Sequence, residues 1–207
     1  MDRIIGVDFD NTVVSYDEVM YNVAIQWGLI PTDTKRSKRD IRASIRFLPD
    51  GELAWQRLQS VVYGSRMDEA KLIDGVKMFF RQCQERRVMV YIISHKTELP
   101  HFEPGINLRS IALNWMRENS FFEAKGLGLM QEAVYFEATR SEKIKRIKEL
   151  GCTHFIDDLE ETFLENSFPA DVDKILYAPH IQCSRVGTIK VVHSWKEVND
   201  YLFYTRS

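Results

Sequence analysis

The chain contains few of the residues that stabilise small secreted domains or bind structural zinc. Its 207 residues include three cysteines, Cys83, Cys152 and Cys183, which lie far apart in the sequence. Their number is odd and no two of them form a Cys-x-x-Cys pair, so the pattern favours reduced thiols and argues against a zinc site. We therefore expect a cytoplasmic protein.

Long apolar runs and a strong charge imbalance are also absent. No segment approaches 18 consecutive apolar residues, and an apolar strand begins so close to the amino terminus that no room is left for a signal peptide. The net charge of −2 comes from 28 basic and 30 acidic residues, and it implies no general attraction to nucleic acid or to anionic membranes. We expect a soluble protein whose partners include neither.

Short apolar runs alternate with helical patterns along most of the chain. After a first strand that ends at Asp8, strands are predicted at 88–93, 133–136, 154–156, 175–177 and 189–192. Helices are predicted at 75–86, 108–117, 141–150, 159–165 and 195–203, with Ser141 as the cap of the third and Gly151 as its end. This alternation predicts an α/β fold, a Rossmann-like three-layer sandwich with a central parallel sheet.

One long segment interrupts the alternation. Residues 15–72 are rich in helical patterns and contain no convincing strand. They lie between the first strand and the helix that leads to the second. We predict that they form a small all-helical cap inserted into a core made of residues 1–14 and 73–207.

Two carboxylates follow the first strand directly. Asp8 and Asp10 should lie at the carboxyl end of a buried parallel strand, where ligands bind in open α/β sheets. Two carboxylates about 4 Å apart repel by about 4 kcal/mol at an effective dielectric constant of about 20, unless a proton or a cation lies between them. We expect a divalent metal ion there. For this segment alone, a polar turn with an aspartate as helix cap is the alternative.

Polar residues also follow three later strands. Ser94 comes directly after one of them and can donate a hydrogen bond. Lys143 lies in the first turn of a helix, where its positive charge opposes the helix dipole and does not stabilise the helix. Asp157 and Asp158 end a buried strand, where adjacent acids are hard to explain by packing. Taken singly, Ser94 can be an ordinary strand-end residue and Lys143 a solvated lysine.

The order of these residues, Asp-x-Asp-Asn-Thr, then Ser, then Lys, then Asp-Asp, resembles the four motifs of the haloacid dehalogenase-like hydrolase superfamily. The resemblance spans nearly the whole chain and is to the phosphatase type that carries a small helical cap between the first and second motifs. It implies that Asp8 is the nucleophile and Asp10 the general acid and base. Ser94 then donates a hydrogen bond to the phosphoryl group, and Lys143 is the charge-balancing cation.

The same resemblance implies a magnesium ion. Its ligands would be the Asp8 carboxylate, the backbone carbonyl of Asp10 and Asp157, with Asp158 supporting the metal or its waters. Glu161 would be a supporting residue that anchors Lys143.

The implied activity is a magnesium-dependent phosphatase that hydrolyses a small phosphorylated metabolite through an aspartyl-phosphate on Asp8. A phosphotransferase or phosphomutase would share the first step and differ in the acceptor. A protein that binds a phosphorylated ligand without catalysis is a further alternative. Dehalogenation is disfavoured, because it needs neither a second acid and base nor a magnesium cluster.

Substrate contacts are expected near the acids, after Ser94 and in the cap. The predicted cap carries a basic cluster on one helical face, which can bind a second anionic group or simply be a solvated surface. The candidate substrate-binding residues are Asn11, Thr12, His95, Lys96, Arg39, Arg42 and Arg46.

Overall fold

The computed structural model describes residues 3–180 and 185–204. Cys183, one of the three predicted thiols, lies outside these residues, while Cys83 and Cys152 are free and buried. The strands are β1 (Ile4–Val7), β2 (Val14–Ser15), β3 (Lys71–Leu72), β4 (Met89–His95), β5 (Val134–Glu137), β6 (His154–Asp157), β7 (Asp173–Tyr177), β8 (Arg185–Val186) and β9 (Ile189–Val192).

Helices lie between most of these strands. They are α1 (Asp17–Gln26), α2 (Lys38–Arg46), α3 (Gly51–Tyr63), α4 (Val76–Arg86), α5 (Leu108–Glu118), α6 (Arg140–Glu149), α7 (Glu160–Leu164) and α8 (Trp195–Asn199). A π-helical turn, Asp200–Tyr204, extends α8. Two short 3₁₀ helices cover Met67–Glu69 and Gln131–Ala133.

Seven strands form the main sheet in the order β5-β4-β1-β6-β7-β9-β8. Pairing is parallel from β5 across to β9, and only the edge strand β8 runs antiparallel to its neighbour. The predicted α/β fold with a central parallel sheet is confirmed. Because β1 lies between β4 and β6, its carboxyl end is flanked by the ends of those two strands.

The centre of the sheet is buried because β1 is apolar on both faces, as strands covered by helices are. Ile5 and Val7 of β1, and Phe155 of β6, are fully buried. Gly6 lies between them, and a Cβ atom there would be only 2.5 Å from the Phe155 ring. A larger residue at position 6 would therefore push β1 away from β6.

The chain divides into two compact units. The first contains Met1–Val13, Leu72–Lys96 and Met116–Ser207, and the second contains Val14–Lys71 and Thr97–Trp115. The assignment of 15–72 as a cap stays a prediction, but the second unit also takes in the segment after β4. The prediction of no strand in that region is wrong in detail, since β2 and β3 pair as a two-stranded sheet.

Within the second unit, side chains connect the two segments. The Ser65 hydroxyl donates to Glu103 at 2.8 Å, and the indole N–H of Trp115 donates to the Ala70 carbonyl at 3.2 Å. The Arg57 guanidinium lies 5.5 Å from the centre of the Phe102 ring. These contacts explain why Thr97–Trp115 belongs to this unit and not to the sheet.

Helix α6 begins one residue earlier than predicted. Thr139, not Ser141, is its cap: the Thr139 hydroxyl accepts from the Glu142 backbone N–H, and the Glu142 carboxylate accepts from the Thr139 N–H. This capping box satisfies two backbone donors that would otherwise lack partners. The predicted end is confirmed, because Gly151 follows the helix with a φ of +63°.

In the described residues, no helix is long and apolar enough to span a bilayer.

Candidate active site

Four polar positions from three strands and one helix meet at the carboxyl ends of β1, β4 and β6. All of them belong to the first unit. Asp8 follows β1, and its backbone N–H donates to the Ile156 carbonyl at 2.8 Å, which continues the β1–β6 pairing past the end of β1. Ser94 is the penultimate residue of β4 and Asp157 is the last residue of β6, so the parallel arrangement brings their side chains to the same edge of the sheet.

Asp8 is buried and has three polar neighbours. The Ser94 hydroxyl donates to Asp8 Oδ1 at 2.9 Å, and the Lys143 ammonium donates to the same oxygen at 2.6 Å. The Thr12 hydroxyl lies 3.4 Å from Asp8 Oδ2, at the outer limit of a hydrogen bond. The second oxygen of Asp8 is therefore much less engaged than the first.

Lys143 joins two carboxylates. Its ammonium group, on a side chain that is almost fully buried, also donates to Asp157 Oδ2 at 2.7 Å. The other oxygen of Asp157 accepts from the Leu159 backbone N–H at 3.0 Å, which fixes the loop that begins α7. The capping box at Thr139 places Lys143 in the first turn of α6, directly opposite these acids.

The electrostatic environment raises two pKa values. Burial is the largest cause that raises the pKa of Asp8 to about 6; Lys143 opposes it, while the charges of Asp157 and Asp10 add to it. Burial alone would lower the pKa of Lys143, but Asp157 and Asp8 outweigh burial and raise it above its usual value. The lysine is therefore a permanent cation, whereas burial, reinforced by the neighbouring acids, makes Asp8 harder to ionise than an exposed carboxyl group.

The acids of this site fit a divalent cation. One carboxylate oxygen from each of Asp8, Asp157 and Asp158 lies within 4.8 Å of the other two. Oxygen ligands bound to one divalent cation at about 2.1 to 2.5 Å are separated by up to roughly 4 to 5 Å, and oxygens are the ligands that magnesium and calcium prefer.

Two lysines neutralise part of the negative charge of these acids. The Lys143 ammonium pairs with both Asp8 and Asp157, and the Lys96 ammonium pairs with Asp10. One ammonium shared by two carboxylates leaves negative charge that a bound divalent cation would balance.

Asp10 is paired with Lys96. The Lys96 ammonium lies 3.1 Å from Asp10 Oδ1 and 2.8 Å from Asp10 Oδ2, and the lysine side chain is 3% exposed. The residue between Ser94 and Lys96, His95, is exposed, and its Nε2 lies 3.0 Å from the Ala138 carbonyl oxygen. Burial of part of the imidazole lowers the pKa of His95. Lys96 was predicted as a substrate contact, whereas the structure pairs it with an acid.

Asn11 and Thr12 form the turn after Asp10. Asn11 has a φ of +62°, a left-handed conformation that asparagine tolerates better than most residues. Its side-chain Nδ2 is buried and has no hydrogen-bond partner among the described residues. Thr12 is buried, and its backbone carbonyl accepts from the Trp195 indole N–H at 2.9 Å, which anchors the turn to α8.

Glu161 and the basic cluster of Arg39, Arg42 and Arg46 are the predicted site residues that remain to be described. Glu161 is exposed on α7, and in the part of the chain that the structure describes Lys143 forms ion pairs with Asp8 and Asp157, so the supporting role of Glu161 stays a prediction. The three arginines of the cluster are exposed on α2, in the second unit. The Arg42 guanidinium lies 5.8 Å from the centre of the Trp55 ring, and the Arg46 guanidinium pairs with the Glu52 carboxylate at 2.8 Å.

Sequence reasoning missed two connections of the site. It did not pair Lys96 with Asp10, although the two-residue spacing of Asp8 and Asp10 matches that of Ser94 and Lys96 on the neighbouring strand. It also placed the cap of α6 at Ser141. There the sequence carried a signal, because Thr139 followed three residues later by Glu142 is the pattern of a capping box.

Comparison with known proteins gives similarity of fold. No family model matches the chain, and no curated protein matches its sequence. Among solved structures, it is similar to a haloacid dehalogenase-like family hydrolase from Streptococcus pneumoniae, with a TM-score of 0.61, 14% identity and coverage of 97% of this chain and 98% of that one.

Two further solved structures are similar over almost their whole length. The putative HAD-hydrolase YfnB from Bacillus subtilis, bound to magnesium, has a TM-score of 0.54 at 14% identity, over 97% of this chain and 98% of that one. Protein Tyrosine Kinase A (PtkA) of Mycobacterium tuberculosis has a TM-score of 0.63 at 11% identity, over 98% of both chains.

Proposed function

We propose that this chain, which has the fold of the haloacid dehalogenase-like hydrolases, is a phosphatase of that superfamily with Asp8 as its nucleophile. The observation that carries the proposal is the set of contacts around Asp8. One oxygen is held by Ser94 and Lys143, while among residues 3–180 and 185–204 the other has only the long contact from Thr12. A carboxylate fixed in this way presents one oxygen for attack.

The reaction has two steps. In the first, an Asp8 oxygen attacks the phosphorus of a monoester, the bond from phosphorus to the ester oxygen breaks, and Asp10 donates a proton to that leaving oxygen. In the second, Asp10 takes a proton from a water that attacks the phosphorus of the aspartyl-phosphate, which frees Asp8 and inorganic phosphate. The same residue thus acts as acid and then as base.

Fixed donors stabilise the phosphoryl oxygens during both steps. Lys143 and Ser94 are held in place by Asp8 and Asp157 before substrate arrives, so little reorganisation is needed. A buried donor without a partner, Asn11 Nδ2, is suited to the same task, since an unpaired buried amide costs about 1 to 3 kcal/mol until a ligand or water satisfies it.

The metal in this proposal is magnesium, held by Asp8, Asp157 and Asp158, with the Asp10 backbone carbonyl as a further ligand. When bound, it neutralises the repulsion between the anionic nucleophile and an anionic phosphate. The similarity to the magnesium-bound YfnB structure supports this choice of cation. The substrate we propose is a small phosphorylated metabolite, and Thr12, His95 and the α2 arginines remain proposed contacts for it.

A phosphotransferase is the second candidate. It would use the same first step and pass the phosphoryl group from Asp8 to an acceptor other than water. The similarity of fold to PtkA, a protein named as a tyrosine kinase, keeps this candidate open.

The experiment is phosphate release from sugar phosphates, nucleotides, phosphoamino acids and an aryl phosphate, with magnesium or with a chelator. We expect release that requires magnesium and falls at least about a thousandfold in Asp8→Asn, because the amide is a poor nucleophile. The matched control, Asp171→Asn, changes an exposed acid and should keep full activity. Undiminished release by Asp8→Asn would refute the proposal, and release that needs an added acceptor would favour the transferase.

A further inference from the structure

The most specific feature that the proposed chemistry leaves unused is the ion pair between Lys96 and Asp10. The ammonium group contacts both carboxylate oxygens, at 3.1 Å and 2.8 Å. The side chain of Lys96 is 3% exposed and that of Asp10 is 19% exposed. Both oxygens of Asp10 are thus held by charge-assisted hydrogen bonds from one ammonium group, and such bonds are stronger than neutral ones.

The backbone holds Lys96 in a defined position. Its N–H donates to the Glu137 carbonyl at 2.9 Å and so extends the β4–β5 pairing one residue beyond β4. In an extended chain alternate residues face the same side, so Ser94 and Lys96 share one face and His95 the other. The exposed position of His95 and the burial of Ser94 and Lys96 agree with this alternation.

The neighbouring ends of β1 and β4 are matched at the same spacing. Asp8 and Asp10 are two residues apart and receive Ser94 and Lys96, which are also two residues apart. The nucleophile is thus held by one residue of the β4 end and the acid/base by the other. Lys143 has a different task, because it connects Asp8 to Asp157.

Burial of the Lys96 ammonium group is energetically unfavourable by itself, because it takes the group out of water. The ion pair offsets this only when its geometry is good. The Lys96 ammonium also lies 5.9 Å from the centre of the Phe9 ring, so the residue between the two acids contributes to the same pocket. The arrangement is costly for stability alone, and it fixes the one carboxylate whose orientation decides proton transfer.

We propose that Lys96 is a positioning residue that fixes the Asp10 carboxylate for proton transfer to the leaving oxygen and from the attacking water. The inference rests on the proposed phosphatase function. Lys96 keeps its own proton throughout: when one Asp10 oxygen carries the transferred proton, the other still accepts from the ammonium. Its effect on the rate therefore passes through Asp10.

The test compares Lys96→Met, Lys96→Arg and Asp10→Asn on a series of phosphate esters whose leaving groups range from a strongly activated aryl oxide to an alkoxide. An alkoxide needs a proton to leave and an activated aryl oxide does not. We expect Lys96→Met to lower kcat/KM about a hundredfold for alkyl esters and less than about fivefold for the most activated aryl ester, because kcat/KM reports the first step and not the hydrolysis of the aspartyl-phosphate. Lys96→Arg, which keeps the charge and two donors, should recover part of the loss.

Two further comparisons sharpen the test. The double variant Lys96→Met with Asp10→Asn should be no slower than Asp10→Asn alone, because both changes act on one proton transfer. Lys145→Met, at a lysine whose side chain is 75% exposed, is the matched control and should leave the rate unchanged. A loss in kcat/KM that is equal for all leaving groups, or that adds to the loss in Asp10→Asn, would overturn the proposal.

A crystal structure of Lys96→Met gives a readout that does not depend on turnover. We expect the Asp10 carboxylate in more than one orientation, where the wild-type protein has one. An unchanged single orientation would refute the positioning role even in a protein without measurable activity. The two proposals fail separately: activity that survives Asp8→Asn removes the phosphatase mechanism, whereas the leaving-group series and the Asp10 orientation judge Lys96.

Discussion

At the scale of single residues, the proposed nucleophile Asp8 lies in an environment that disfavours its negative charge. The carboxyl group is buried beside Asp157 and Asp10, and its pKa rises to about 6 although Lys143 touches it. In the unfolded chain the same group has an ordinary pKa near 4. The folded protein without metal therefore holds a proton at Asp8 more tightly than the unfolded chain does.

This difference makes stability depend on pH. The favourable contribution of protonated Asp8 is fully present below about pH 4 and is lost as the pH rises to 6 and above. In the presence of a chelator we expect Asp8→Asn to melt about 5 °C above the wild-type protein at pH 7, equivalent to about 1 to 2 kcal/mol for a chain of this size, and much closer to it at pH 4.

Thermal melting followed by circular dichroism measures this difference. Asp171→Asn, at an exposed position, should show no pH-dependent gain over the wild type. Equal midpoints of Asp8→Asn and the wild type at both pH values would mean that Asp8 is not strained in the folded protein.

Residue types in the sequence were enough to predict Asp8, Asp10, Ser94, Lys143 and Asp157 as one group, because strand ends of a parallel sheet meet at one edge. The ion pair of Asp10 was not predictable from the same evidence. A lysine after a strand is usually solvated, and only the register of β1 against β4 shows that Lys96 faces an acid. Pairings of this kind depend on tertiary contacts that no local pattern encodes.

At the scale of secondary-structure elements, α6 carries Lys143 in its first turn, so the cap of this helix affects both stability and the candidate site. The Thr139 side chain accepts from the Glu142 N–H at 3.1 Å. We expect Thr139→Ala to lower the free energy of unfolding by about 1 kcal/mol, the usual cost of losing an N-cap, and to lower activity by displacing Lys143.

The matched control is Ser141→Ala, which changes the residue that local pattern alone favoured as the cap. Ser141 is exposed inside α6, where alanine is the better helix former, so this variant should be as stable as the wild type or slightly more so. Urea denaturation compares the two variants. A larger loss in Ser141→Ala than in Thr139→Ala would show that the helix begins later than the structure places it.

Most elements could be predicted from the alternation of apolar runs and helical patterns, and β9 has the predicted bounds of 189–192. Strand β4 is longer than predicted because its pairing with β5 continues through Ser94 and His95, which are not apolar. The short pair of β2 and β3 escaped prediction, since two residues leave no periodicity to detect. The membership of Thr97–Trp115 in the second unit depends on contacts such as that of Ser65 with Glu103.

At the scale of the whole molecule, a bound cation should be part of folding stability. The Lys143 ammonium is shared by Asp8 and Asp157, which leaves negative charge at the site, and a cation that binds only the folded state stabilises that state. We expect the melting temperature to rise progressively with magnesium concentration. At a hundred times the dissociation constant, the free energy of unfolding should be higher by about 2.7 kcal/mol.

Asp157→Asn should abolish this rise, because Asp157 is fully buried at the centre of the acid cluster. Asp171→Asn should retain it. Melting in a series of magnesium concentrations, with calcium for comparison, checks both statements. A wild-type midpoint that does not respond to either cation would contradict the metal site.

The central claim is that Asp8 itself becomes phosphorylated, and trapping of that intermediate tests it most directly. A reaction with the best ester is quenched during turnover, treated with borohydride, which reduces an acyl phosphate to an alcohol, and digested for mass spectrometry. We predict homoserine at position 8, formed only when phosphorylated substrate and magnesium are present. Turnover with an unmodified Asp8, or with the acyl phosphate on another residue, would contradict the account.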